Sequence, residues 1–236
     1  MDRPNIVFLF SDQQRWDTVS SYGEPLGASL GLTPVLDRLA REGTLFERAF
    51  TCQPVCGPAR ACLQTGRYPT EVGCPVNDRM LPAGAKGIAR FLHDAGYETA
   101  YVGKWHLASH HSGEGRPDSV DHRTAAVPPE LRGGYEDYWM AADVLEFTSH
   151  GYGGFVFDRD GQKREFTGYR ADAVTDYALD YLRQPKEKPF FLFVSYLEPH
   201  FQNDTGRHEG PAGSKDRFRD FAVPADLEGL PGDWQE

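Results

Sequence analysis

The chain lacks what would place it in a membrane or along a nucleic acid. No apolar run approaches the roughly 20 residues that span a bilayer, and the strongest, at residues 5–10 and 190–196, are only strand-sized. Positive charge is scarce: 25 Lys and Arg stand against 35 Asp and Glu, a net charge of −10. A surface that tracks phosphates needs clustered cations, so any anion site here must be local. The start of the chain, Met1 to Asn5, holds no signal-type apolar segment or small-residue cleavage site, which reads as a cytoplasmic protein. Cysteines are few as well. The four, at 52, 56, 62 and 74, contain no C-x-x-C pair, which argues against a disulfide framework and leaves structural zinc a minor alternative. No internal repeat is present.

What is present is an alternation of strand-like and helix-like segments. Residues 5–10 form an apolar run rich in β-formers, read as a strand buried on both faces of a parallel sheet. Thr33 and Pro34 open a helix with Leu36 and Leu39 on one face and Gly43 as its stop. Residues 44–50 read as a strand. Residues 87–95 form an amphipathic helix with Ile88, Phe91, Leu92 and Ala95 on one side, and residues 97–102 a further strand. A Ser, Gly, Pro and charge-rich stretch at 108–134 reads as a long surface loop whose His110, His111 and His122 are solvent-exposed. Residues 155–166 form a hairpin around an Asp-Gly turn at the sheet edge, residues 169–183 a helix, and residues 190–196 a second fully apolar strand.

The densest chemistry lies in Cys56-Gly57-Pro58-Ala59-Arg60 and the helical run that ends at Thr65-Gly66. Proline is tolerated in a helix's first turn, so Cys56 should stand at a helix start, where free N–H groups and the positive dipole end favour an anion. Arg60, one turn on, can reach back toward it. A buried free cysteine is the plain alternative. Asp12 and Gln13 follow the first strand, where open α/β sheets place ligand sites; a turn or helix cap is equally open to them. Lys104 and His106 follow the strand at 97–102, and His200 follows the strand at 190–196.

The segment from Cys56 to Gly66 resembles the sulfatase signature C-x-P-[S/A]-R-x-x-L-x-T-G, in which an oxidising enzyme converts the cysteine into formylglycine. Gly103-Lys104-Trp105-His106 and Glu198-Pro199-His200 resemble two further sulfatase elements. The resemblance implies an α/β, alkaline-phosphatase-like fold: a mostly parallel sheet flanked by helices, with a core at 5–200 and a loop-rich tail at 201–236. It implies a divalent metal on Asp12, Gln13 and the converted Cys56, with Ca²⁺ expected first and Mg²⁺ or Mn²⁺ as alternatives; a Gln carbonyl can ligate such a hard cation at lower charge than a second carboxylate. It assigns Arg60 and Lys104 to charge neutralisation, Lys104 also to a sulfate oxygen, His106 to the formylglycine hydroxyls and His200 to the leaving-group oxygen. Asn77 is a turn residue by composition and a substrate contact by resemblance. The expected partners are a sulfate-ester small molecule or sugar and a formylglycine-generating enzyme.

Two features depart from the family pattern. Gln13 stands where many members have a second Asp, and no strand after His200 leads into the Asp-Asn or Asp-His pair that completes the metal site. The chain therefore reads as the N-terminal, apparently truncated part of such a catalytic domain. Phosphonate or phosphate monoester hydrolysis with the same apparatus, and a non-catalytic anion-binding fragment, stay open beside sulfate-ester hydrolysis.

Overall fold

The computed structural model describes residues 3–22, 31–109 and 120–219. By its internal contacts the chain forms two compact units, one from residues 1–12 and 51–198 and one from 13–50 and 199–236.

The first unit is built on a six-stranded sheet of β1 (Ile6–Phe10), β2 (Glu98–Lys104), β3 (Tyr138–Ala142), β4 (Tyr152–Asp158), β5 (Lys163–Tyr169) and β6 (Phe190–Ser195), in the order β1-β6-β2-β3-β4-β5. The first four strands in that order are parallel to one another, and β4 and β5 add an antiparallel hairpin at one edge. The expected hairpin is thus present, and the sheet is mixed.

Residues of β6 and β2 alternate between two cores, as the two-residue period of a strand requires. Phe191, Phe193 and Tyr101 enter an aromatic layer with Trp105, Tyr135 and Trp139, in which Tyr101 stacks on Phe193 at 5.2 Å and on Trp139 at 5.3 Å between centroids. Leu192, Val194, Ala100 and Val102 face the other way, against Val174, Ala178 and Tyr181. Those three line one face of α5 (Arg170–Arg183), which lies over β2, β4, β5 and β6. Helices α2 (Cys56–Thr65) and α3 (Ile88–Asp94) contribute Ala61, Ala89 and Leu92 to the aromatic side. A short helix, α4 (Leu145–Thr148), follows β3.

β1 differs from the sequence expectation. Phe8 stacks on Phe193, but Val7 and Leu9, in register with Leu192 and Val194, are 47% and 58% exposed. β1 ends the sheet, and α5 covers the strands beyond it, so one of its faces is open. Within α3 the buried residue is Ala89, while Ile88 and Phe91 are exposed, so the apolar stripe is turned from the face expected. Much of the described part of the 108–134 stretch is packed: Val127, Leu131 and Arg132 are buried, and so is His122, whose Nδ1 meets the Ala126 carbonyl at 2.9 Å. His110 and His111 lie outside the described residues.

In the second unit, α1 (Pro34–Glu42) runs between Thr33 and Gly43 as expected. Thr33 Oγ1 accepts from Ser20 N at 2.9 Å, and Ser21 Oγ donates to Asp37 at 2.6 Å, tying the helix start to the turn before it. Residues 44–50 form no strand; Phe46 and Phe50 stand exposed, and no neighbouring strand pairs with them among the described residues. The described residues after His200 carry one short helix, α6 (Ser214–Arg217). No described helix is long and apolar enough to cross a membrane.

Candidate active site

Phe10, Ser195, Gly103 and Ala141 sit in register across four parallel strands, so their carboxyl ends open at one level. That is where an open α/β sheet gathers its ligand site. β2 runs two residues beyond its expected end, and Lys104 is its last residue. The close fit depends on Gly103, at φ +101°, where a Cβ would come within 1.9 Å of the Ser195 carbonyl oxygen. Any side chain would push β2 off β6.

Cys56 is the first residue of α2, with Pro58 in the first turn and Gly66 closing the helix in the left-handed conformation. Val55, the N-cap, provides no side-chain cap; Asn77 does so instead, its Oδ1 accepting from Gly57 N at 2.8 Å. This stands in for one of the bonds a helix start leaves unmade.

Three charged side chains converge on this helix start. Asp12 Oδ1 lies 3.8 Å from Cys56 Sγ, and its Oδ2 accepts from Arg60 at 2.9 Å and lies 3.1 Å from Lys104 Nζ. Lys104, fully buried, also reaches Cys56 Sγ at 3.9 Å and donates to Glu146 Oε1 at 2.8 Å. Arg60 is fixed by the Lys104 carbonyl and Ser195 Oγ, both at 2.8 Å, and lies over the Phe10 ring. The quartet Asp12, Arg60, Lys104 and Glu146 balances two positive charges against two negative ones.

Burial disfavours every one of those charges, and the partners outweigh it. Burial would raise the Asp12 carboxyl, but Lys104 and then Arg60 hold it well below the ordinary carboxylate range. Burial would lower Lys104, yet Glu146 and then Asp12 hold its ammonium above its usual value. Glu146 is likewise held low by Lys104 against its burial. The cluster is ionised throughout neutral pH.

His106 is buried at φ +56°, and its Nε2 lies 3.7 Å from Asp78 Oδ1. Asp78 has φ +55° and Gln13 φ +58°; these are the only non-glycine residues with positive φ among the described ones. Such conformations are uncommon outside glycine and collect at functional sites. Burial works against protonation of His106, but Asp78 and then Cys56 raise its pKa. Asp143, fully buried, accepts from the backbone of Leu107 and Ala108 at 2.9 and 2.8 Å and from Ser109 Oγ, which pins the turn carrying His106.

The structure thus brings together Asp12, Cys56, Arg60, Lys104 and His106, with Asn77 at the helix start. Gln13 and His200 belong to the second unit, where the His200 ring stacks on Phe201 at 4.8 Å. Sequence reasoning missed Ser195, Asp143, Asp78 and Glu146. Asp143 follows an apolar run in the same way as Asp12, so the strand-end rule could have found it; Glu146 is an acid flanked by Val144, Leu145 and Phe147, and that was its only signal.

The sulfatase family model matches residues 4–221. The chain belongs to the sulfatase family. It is 36% identical over 230 residues to an ulvan-active sulfatase of Formosa agariphila, covering 95% of this chain and 39% of that protein. It is 31% identical over 201 residues to an N-acetylglucosamine-6-O-sulfatase of Bacteroides thetaiotaomicron, covering 84% and 31% respectively. A solved protein in complex with its substrate D-glucosamine-2-N,6-O-disulfate superposes with a TM-score of 0.74 at 28% identity, over 96% of this chain and 40% of that one. The chain therefore spans roughly a third to two-fifths of the length of these three relatives. The α/β fold of this member of the sulfatase family agrees with the expectation from sequence.

Proposed function

We propose that this sulfatase chain supplies the nucleophile side of a sulfuric ester hydrolase acting on a sulfated sugar. The observation that carries the reading is the approach of Asp12 and Lys104 to Cys56 Sγ, at 3.8 and 3.9 Å, at the N-terminal end of α2. A sulfate ester carries negative charge that grows on its oxygens in the transition state, and oriented cations stabilise it most where water is excluded. The Arg60 guanidinium and Lys104 ammonium would meet that charge. His106, whose Nε2 lies 3.7 Å from Asp78 Oδ1, would hold a proton at Nε2 next to the nucleophile. His200 is proposed to protonate the departing alcohol, and Asn77 to contact substrate beside its capping role.

The donor chemistry fits a hard divalent cation: Asp12 is an ionised carboxylate whose Oδ1 faces Cys56, and converting Cys56 to formylglycine would replace sulfur by oxygen. Asp12, the converted Cys56 and Gln13 would hold that ion, with Ca²⁺ the proposed choice. Such an ion supplies Lewis-acid activation of a hydroxyl nucleophile and stabilises charge on sulfate oxygen. The sugar class follows from the ulvan and N-acetylglucosamine-6-O relatives.

The test is hydrolysis of an aryl sulfate and a matched aryl phosphonate ester by the chain made alongside a formylglycine-generating enzyme. Sulfate turnover, however slow, that vanishes in Cys56→Ala is expected. Turnover that survives Cys56→Ala overturns the reading, and a preference for the phosphonate moves it to the phosphonate or phosphate ester hydrolysis that the sequence leaves open.

A further inference from the structure

Lys104 Nζ has three donors and three partners: Glu146 Oε1 at 2.8 Å, Asp12 Oδ2 at 3.1 Å and Cys56 Sγ at 3.9 Å. Asp12 is shared, since the same oxygen also receives Arg60 at 2.9 Å. Anything cationic that takes Asp12, or any anion that enters beside Cys56, weakens the hold of Asp12 on Lys104. Glu146 Oε1 is a separate partner of the ammonium, distinct from the Asp12 oxygen that Arg60 shares.

Glu146 also stands on a rigid mount. β3 pairs Ala142 with Lys104 at the strand ends, and α4 then folds Glu146 back toward the ammonium. Leu145, fully buried, anchors the helix in the core on the α5 side of the sheet. Ser149 Oγ donates to the Leu145 carbonyl at 2.6 Å and receives Arg170 at 3.2 Å, closing the helix end. A buried ion pair contributes little net stability compared with apolar residues of the same volume. Its aim at the one cysteine that starts a helix, rather than at other core groups, is what needs an explanation.

We propose that Glu146 is a positioning residue for Lys104: its carboxylate holds the ammonium over the start of α2, so that Lys104 stays in place to bind a sulfate oxygen when Asp12 is engaged elsewhere. The inference rests on the reading of Lys104 as a sulfate-binding group. Without Glu146, Lys104 falls back on Asp12 and is drawn away from the entering anion.

The sign of the effect separates this role from a passive one. Removing a nearby negative charge should strengthen anion binding if Glu146 is only part of the local field. Loss of positioning should weaken it. Inorganic sulfate is titrated calorimetrically into the unsubstituted chain, Glu146→Gln, Glu146→Asp, Lys104→Met and the double variant Glu146→Gln/Lys104→Met, with each melting curve recorded so that binding is read below unfolding. Glu146→Gln is expected to weaken sulfate binding by about tenfold, the scale of one charge-assisted hydrogen bond. Glu146→Asp, which keeps the charge but withdraws it by one methylene, should weaken it less. The double variant should bind no more weakly than Lys104→Met alone, because Glu146 acts through Lys104. Equal or tighter sulfate binding in whichever Glu146 variant stays folded overturns the proposal while leaving the Lys104 reading intact. Sulfate binding that is absent from the unsubstituted chain, or indifferent to Lys104→Met, overturns that reading and the proposal with it.

Discussion

β6 and β1 are neighbours in the same sheet, in register from Ile6 against Phe191 to Phe10 against Ser195, yet they are differently built. Every residue of β6 is buried, between an aromatic layer on one side and α5 on the other. β1 has the aromatic side only, and Val7 and Leu9 face outward. Both strands nonetheless end at the candidate site: β6 supplies Ser195 to Arg60, and β1 leads into Asp12. The contrast teaches that a sheet position is made precise from one side. Phe8 and Phe10 hold β1 by packing with Phe193 at 4.7 and 6.1 Å, and Arg60 and Lys104 fix Asp12 just beyond the strand end.

The largest break should come where the central strands touch. Gly103→Ala sets a Cβ against the Ser195 carbonyl in a left-handed conformation, and the loss expected is above about 4 kcal/mol, at the extreme for single substitutions. A soluble chain with an ordinary urea midpoint would contradict the register that aligns the strand ends. Next comes Phe193→Ala, which empties the layer shared by Phe8, Tyr101 and Tyr135 and should cost about 3–5 kcal/mol by chemical denaturation.

Acid should act on the site itself. Asp12 and Glu146 are held below the usual carboxyl values near 4. Groups depressed in the folded state contribute stability that is present above their unfolded pKa and lost as pH falls through the folded one. Denaturation midpoints should therefore hold steady from neutral pH down to about 5 and drop below about 4. Asp12→Asn should flatten part of that drop, and an unchanged acid limb would count against the quartet.

Smaller effects mark the periphery. Asn77→Ala removes the cap on Gly57 N and should cost about 1 kcal/mol. Leu9→Ala, on the open face of β1, should stay within about 0.5 kcal/mol, in contrast to the loss at Phe193 one strand away. A loss at Leu9 as large as that at Phe193 would mean that the open face is covered in solution.

The same contrast explains what could be read from the sequence. Strands such as 190–196, apolar at every position, announce themselves, and so did α5 and the helix start at Cys56, where Pro58 and Gly66 mark both ends. Residues 5–10 look alike in sequence, and only the sheet order reveals that β1 lacks a cover; Val7 and Leu9 carry no mark of it. Strand ends pointed to Asp12, Lys104 and His106 because position after an apolar run is a local signal. Glu146 and Ser195 were not legible, since their roles come from side chains that meet across 42 and 135 positions of chain. The turn of α3 was misread because its seven residues are too few for periodicity to fix the buried face.

The central claim is that Cys56 stands among Asp12, Arg60 and Lys104 as the precursor of a nucleophile. The most direct test is the mass of the peptide containing Cys56, isolated from the chain made with and without a competent formylglycine-generating enzyme and followed by capture with an aldehyde-selective hydrazide. The account predicts the aldehyde mass and hydrazide capture in the first sample, with the thiol in the second. A thiol in every preparation, with no hydrazide capture, would contradict it.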